Sequence, residues 1–188
     1  MIIKNYLLLV LNKYIKNITI YNNEIFILVT PNNIFKIISI LSKLSIFQFK
    51  QLIDINVIDY PERTNRFEII YHLLSITYNV RINIRTYTNE KYMINSIMSI
   101  YKNANWSERE CWDMFGIYFK NHEDLRRILT DYGFNGYPLR KDFPLTGYKE
   151  IRYDDSLKHI VYERLSFAQE YRNYDYTSSW QHIKDNIK

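Results

Sequence analysis

The sequence predicts an α+β fold: a two-layer domain with a mainly antiparallel sheet and helices on one face, followed by an extended C-terminal arm that carries a β-hairpin. Three observations lead there. Hydrophobic periods near 3.6 and near two alternate as far as about residue 105, the pattern of helices and half-buried strands packed together. The connections between the period-two segments are short, which favours antiparallel neighbours. All four glycines and two of the four prolines fall between residues 116 and 147, so that stretch is neither helical nor sheet core. The domain is therefore expected over 1–115 and the arm over 116–188.

Taken in order, Met1 to Lys16 reads as a first helix with Leu7, Leu11 and Tyr14 on one face. Its lysines without acids superficially resemble a targeting segment, yet it lacks arginine, serine and a small-residue cleavage site. Thr19 to Tyr21 and Glu24 to Thr30 form a hairpin about Asn22-Asn23. Pro31-Asn32-Asn33 starts a helix whose stripe is Ile34, Ile37, Ile38, Leu41 and Leu44. Ile53, Ile55 and Val57 alternate with polar residues and stop near Pro61; Phe67, Ile69, Tyr71 and Leu73 make the next strand. Beyond a turn at Tyr78-Asn79, Val80, Ile82 and Ile84 alternate with Arg81, Asn83 and Arg85. In the arm, a hairpin is expected near 149–163 about Asp155-Ser156, and Phe167 to Lys188 reads as chain that wraps a partner.

Composition narrows the class. The chain has 188 residues, 47% of them hydrophobic, enough for a sizeable core. Its longest strongly apolar run, Tyr6 to Leu11, falls far short of the roughly 20 residues of a membrane-spanning helix. A single cysteine, Cys111, excludes a disulfide framework and cannot by itself ligate an iron-sulfur cluster or a structural zinc. The net charge of +5 comes from the first half: residues 1–104 hold 12 Lys and Arg against 6 Asp and Glu. That excess admits a basic nucleic-acid-binding module. However, Ile, Asn, Lys and Tyr all have AT-rich codons, so coding bias accounts for the basicity, and no recognition motif of the usual nucleic-acid folds is present.

Ser107-Glu108-Arg109-Glu110 has the spacing of a capping box, so a short helix is expected to start after Ser107 and to end at Gly116. Glu108, Glu110 and Asp113 invite an acid/base reading, but no nucleophile or substrate cradle accompanies them. Cys111 reads as a core thiol, and the consecutive His122-Glu123-Asp124 as a poor metal site. Arg126-Arg127 and Arg140-Lys141-Asp142 lie in turn-rich chain bounded by Gly133, Gly136, Pro138 and Pro144. Extended chain of this kind has little means to satisfy its own backbone groups and charges, which points to a partner surface.

The run Ala104-Asn105-Trp106-Ser107-Glu108-Arg109-Glu110-Cys111-Trp112-Asp113-Met114-Phe115-Gly116 closely resembles a hallmark of one family. The resemblance continues from His122 through Phe134, from Gly136 through Tyr148, in Arg152-Tyr153-Asp154-Asp155 and in Ala168-Gln169-Glu170. That family is the 30 kDa subunit of respiratory complex I, NADH dehydrogenase subunit 9. Glu123, Tyr137 and Arg164 depart from it, standing where the family usually has proline, histidine and proline.

The resemblance implies a non-catalytic structural subunit in the quinone-reducing module of the hydrophilic arm. NADH to ubiquinone electron transfer with proton translocation would belong to the whole complex, and the isolated chain would have no activity. No cofactor is expected on this chain; FMN, iron-sulfur clusters and the quinone pocket would lie in other subunits. The implied partners are those quinone-module and iron-sulfur subunits, with no nucleic acid and no direct membrane span. The implied location is peripheral, on the matrix side of the mitochondrial inner membrane; a plastid or bacterial relative is the alternative. The candidates for an interface with other subunits are Glu108, Arg109, Glu110, Asp113, Arg126, Arg127, Arg140, Lys141 and Asp142.

Overall fold

The computed structural model describes residues 2–22, 24–166 and 174, and of residues 2–5 only the backbone. The chain divides into two compact units, Met1–Pro144 and Leu145–Lys188. In the first, α1 (Ile2–Leu11) leads through a turn into β1 (Ile15–Tyr21), which turns back as β2 (Glu24–Val29). A 3-10 turn at Pro31–Asn33 opens α2 (Ile34–Lys43), with the proline at its start where the missing amide costs nothing. Three long strands follow: β3 (Gln51–Asp59), β4 (Phe67–Ser75) and β5 (Val80–Thr88). A two-residue strand β6 (Ile94–Asn95) precedes α3 (Ala104–Phe115), and β7 (Phe119–Lys120) pairs with β6 in parallel.

The five long strands form one sheet in the order β1-β2-β5-β4-β3. Three of its pairings are antiparallel, as the short connections imply, while β2 and β5 run parallel. Cross-strand register explains the alternation in the sequence. Ile18, Ile27, Ile84, Tyr71 and Ile55 follow one another across all five strands on the inner face. Leu7 and Leu11 of α1, the four buried isoleucine and leucine positions of α2, and Ala104 and Cys111 of α3 pack into the same core.

Three sequence expectations change. The first helix ends at Leu11, and Tyr14 sits in the turn before β1. Helix α3 begins at Ala104, so Ser107 lies inside its first turns with its hydroxyl 3.4 Å from the Asp54 carboxylate. Asn103 occupies the helix start, and its amide nitrogen donates to the Leu52 carbonyl at 2.7 Å. A tertiary anchor on β3 thus outcompetes the local capping box. Third, the first compact unit runs to Pro144 rather than to 115, because residues 116–144 are bound to it by the side chains described below.

In the second unit, β8 (Lys149–Asp154) and β9 (His159–Arg164) form the expected antiparallel hairpin. The wrapping segment from Phe167 to Lys188, with Ala168-Gln169-Glu170, lies outside the described residues apart from Tyr174.

Candidate subunit interface

Residues 121–144 contain no helix or strand, so their backbone donors must find acceptors elsewhere. Asp113, near the C-terminal end of α3 and fully buried, supplies them. Its Oδ2 accepts the amides of Ile128, Leu129 and Thr130 at 3.1, 2.7 and 3.0 Å, and its Oδ1 accepts the Thr130 hydroxyl at 2.6 Å. The Arg127 guanidinium approaches Oδ1 at 3.5 Å. Burial alone would raise the carboxyl pKa, but the Thr130 hydroxyl and the three amides overcome it and hold the group below the usual carboxylate range. Asp113 is therefore a charged anchor for the loop after β7.

Neighbouring side chains extend the anchor. Arg109 on α3 donates through Nε to the Arg126 carbonyl at 2.9 Å. Arg127 donates to the Gly136 carbonyl at 2.9 Å, and its guanidinium lies 5.1 Å from the Tyr137 ring centroid. That ring meets Trp112 edge-on at 5.8 Å. Arg126 is exposed, and its side chain pairs with Asp124, two residues away, at 2.8 Å.

A second anchor sits at the end of the sheet. Arg66 forks onto Asp59, with Nε and a terminal nitrogen at 2.6 and 2.8 Å from the two carboxylate oxygens, and also meets Asp142 at 2.9 and 3.2 Å. Bidentate geometry of this kind gives strong, directional pairing. Asp59 also accepts the Lys141 amide at 2.8 Å. Burial pushes the Asp59 carboxyl upward, and the Arg66 bonds with the Lys141 amide reverse that, leaving its pKa lowered. The Asp142 carboxyl is lowered as well, first by its bond to Arg66. Arg140 donates to the Phe115 carbonyl at 2.7 Å and to Glu90 at 2.8 Å. This packing explains Gly116, which takes φ +77° as the left-handed helix cap; a Cβ there would lie 2.6 Å from the Arg140 side chain and 2.7 Å from Tyr137.

Glu108 belongs to a third, internal cluster. It is fully buried, accepts the Ile97 amide at 2.8 Å and the Ser96 hydroxyl at 2.5 Å, and lies 3.8 Å from His122 Nε2. Burial outweighs those two hydrogen bonds and pushes its pKa up to about 7. The His122 Nδ1 takes the Asp124 amide at 3.1 Å, which leaves Nε2 to face the Asn105 carbonyl at 3.3 Å. Among the described residues no group of three His, Cys, Asp or Glu side chains is placed to hold a metal ion. Cys111 is buried with its sulfur 3.7 Å from the Ile55 carbonyl, and burial, reinforced by Glu110 and Glu108, pushes its thiol far up and away from thiolate chemistry.

The nine interface candidates thus separate. Glu108, Asp113, Arg127 and Arg140 hold this chain together, with Arg109 and Asp142 contributing to the same two anchors. Glu110, Arg126 and Lys141 are exposed, as are Trp106, Leu129, Tyr132 and Leu139 of the same segments. The expectation that the turn-rich chain lacks internal partners for its charges is corrected: Asp59, Arg66 and Glu90 provide them. Those three were missed because each lies far away in sequence, and only alternation breaking at Asp59 and Arg66, charges flanking strand ends, hinted at them. Part of the basic first half is engaged within the fold, since Arg63 and Arg85 converge on buried Glu68 at 3.7 and 3.6 Å and Arg85 stacks over Phe26.

Residues 27–149 match the family model of the respiratory-chain NADH dehydrogenase 30 Kd subunit. The NADH-ubiquinone oxidoreductase subunit 9 of Acanthamoeba castellanii is 54% identical over 175 residues, 92% of this chain and 89% of that one. The protein of the same name from Reclinomonas americana is 49% identical over 179 residues, 94% of this chain and 88% of that one. Among solved structures, the trypsin-resistant fragment 1–134 of Nqo5 superposes with a TM-score of 0.56 at 25% identity, covering 66% of this chain and 100% of the fragment. A chain of the membrane-bound sulfane sulfur reductase, an archaeal respiratory membrane complex, shares the fold with a TM-score of 0.65 at 24% identity, covering 77% of this chain and 87% of that one.

Proposed function

This chain belongs to the family of the 30 kDa subunit of respiratory-chain NADH dehydrogenase, and from that premise we propose that it is a non-catalytic structural subunit of the quinone-reducing module in the hydrophilic arm of complex I. The observation that carries the reading is the pair of carboxylate anchors. Asp113 ties down residues 128–130 and Asp59 ties down Lys141 in chain without regular structure, which leaves Leu129, Tyr132 and Leu139 exposed for a partner, with Arg126 and Lys141 exposed in the same segment. A preorganised non-regular surface binds without the cost of ordering it at the moment of contact. Cys111 is sealed, and the buried carboxylates Asp59, Glu68, Glu108 and Asp113 are engaged by amides, hydroxyls and guanidinium groups of this chain, which supports a subunit that positions neighbours and leaves redox chemistry to them.

In this reading FMN, the iron-sulfur clusters and the quinone pocket reside in the partner subunits, and NADH to ubiquinone electron transfer belongs to the whole complex. The chain would sit peripherally on the matrix side of the mitochondrial inner membrane; among the described residues no helix is long and apolar enough to cross it. Affinity purification of the tagged chain in mild detergent tests the proposal. Iron-sulfur and quinone-module subunits are expected to co-purify with NADH to quinone activity, while the chain purified alone is colourless and does not oxidise NADH. An Arg126→Glu, Lys141→Glu double variant should stay folded and be depleted from the assembly on native gels. A stoichiometric flavin or iron-sulfur absorption on the isolated chain, or full assembly of the double variant, would overturn it.

A further inference from the structure

The β8-β9 hairpin has two unlike faces. On one, Arg152 bridges Glu163 at 2.7 Å and Asp154 at 3.1 Å, and Asp154 also accepts the turn amides of Ser156 and Leu157. On that face Arg152, Asp154 and Glu163 thus pair with one another. On the other, the register sets Tyr153 opposite Ile160, Ile151 opposite Tyr162, and Lys149 opposite Arg164. Ile151, Tyr153 and Ile160 are 54%, 59% and 59% exposed. Lys149 and Arg164 are like charges directly across the ladder, an arrangement that destabilises a hairpin, and among the described residues neither is in an ion pair. A lone two-stranded hairpin is at best marginally stable in water, so a face of this composition needs cover.

We propose that this face docks on a neighbouring protein subunit of the same assembly, against an apolar strip ending in a carboxylate that sits between Lys149 and Arg164. The inference rests on the subunit reading above and adds the face, the polarity and the chemistry of the contact. The charge pattern selects the occupant. The docking face carries no acid of its own, so a second copy of the hairpin would bring more cations to cations. The hairpin as a whole is neutral, with Lys149, Arg152, Lys158 and Arg164 balanced by Glu150, Asp154, Asp155 and Glu163, so an anionic lipid surface has no net charge to attract. An apolar protein surface with one acidic end satisfies both the strip and the cations, and the Arg152 face remains in water.

The test uses the assembled complex. A photo-crosslinking residue is placed at Tyr153 on the docking face or, as a control, at Glu150 on the other. The Tyr153 probe is expected to join another subunit at a segment holding Asp or Glu, with about tenfold higher yield than the Glu150 probe. Lys149→Glu with Arg164→Glu should reduce incorporation into the complex by about tenfold or more, whereas Lys149→Arg with Arg164→Lys should assemble normally. Equal yields from both probes, or cross-links from Tyr153 to the chain's own residues 167–188, to a second copy or to lipid, overturn the proposal. So does normal incorporation of the double reversal. In each of those cases the chain still co-migrates with the complex; absence of the unmodified chain from the complex is the distinct result that would remove the subunit reading itself.

Discussion

Replacing Asp113 with alanine removes the acceptor for three main-chain amides and one hydroxyl at once. Hydrogen bonds to a charged group contribute roughly 1.5–3 kcal/mol each, but the loop can partly recover by opening to water, so the contributions do not add. Loss of a buried, hydrogen-bonded charge typically costs about 3–5 kcal/mol, and that range is expected for Asp113→Ala. Asp113→Asn retains one acceptor oxygen and should cost about half as much, while Thr130→Val removes a single donor and should cost about 1 kcal/mol. Urea unfolding of the full chain measures all three. Trypsin provides a local readout, because Arg126 and Arg127 flank the anchored amides and release of the loop should speed cleavage after them. The pH dependence fixes the sign: the folded-state pKa of Asp113 lies below its ordinary value, so its stabilisation is present above the unfolded carboxylate pKa and is lost as pH falls through the folded value. The gap between the natural chain and Asp113→Asn should narrow in acid. An Asp113→Ala chain that loses less than about 1 kcal/mol and is cut no faster would refute the anchoring argument.

Glu108 should behave oppositely. Its pKa is raised from 4.5 to about 7, so its contribution is fully present below the lower value and fades as pH rises through the higher one; urea midpoints of the natural chain should fall across that window while those of Glu108→Gln stay flatter. Gly116→Ala should cost about 1–2 kcal/mol or more from the left-handed backbone and the crowding by Arg140 and Tyr137, measured by thermal unfolding; a neutral result would mean those side chains move aside freely. Asn103→Ala should destabilise by about 1 kcal/mol through the lost bond to Leu52, whereas Ser107→Ala should cost under about 0.5 kcal/mol; the reverse order in denaturant midpoints would restore the capping box.

The strands around Ile69 and Ile84 were legible because their inward residues enter the core at period two, whereas in β3 a register shift between Leu52 and Asp54 turns Leu52 inward and leaves Ile53 exposed, against the alternation of Ile53, Ile55 and Val57. The α2 stripe was legible for the same reason at period 3.6. The start of α3 was not, since Ser107 and Glu110 satisfy a local rule while Asn103 and Glu108 answer to Leu52, Ser96 and Ile97. The interface region was half legible. Composition showed that residues 116–144 carry charge on irregular chain, but the choice between a partner subunit and this chain depends on Asp59, Arg66 and Glu90, whose nearness is a property of the folded sheet. The parallel neighbours β2 and β5 left no mark in either strand, because inward isoleucines serve both directions of pairing equally.

That parallel seam governs the order in which a ribosome can deliver this fold. The β1-β2 hairpin and the β3-β4 hairpin emerge early, each with one strand edge waiting for β5, which is synthesised last of the five and seals both. During that interval the growing chain carries two unpaired apolar strand edges, on β2 and on β4, open to pairing with each other or with another nascent chain. Synthesis that stalls before β5 therefore exposes the chain to mispairing and aggregation, a hazard that ends only when the central strand is in place.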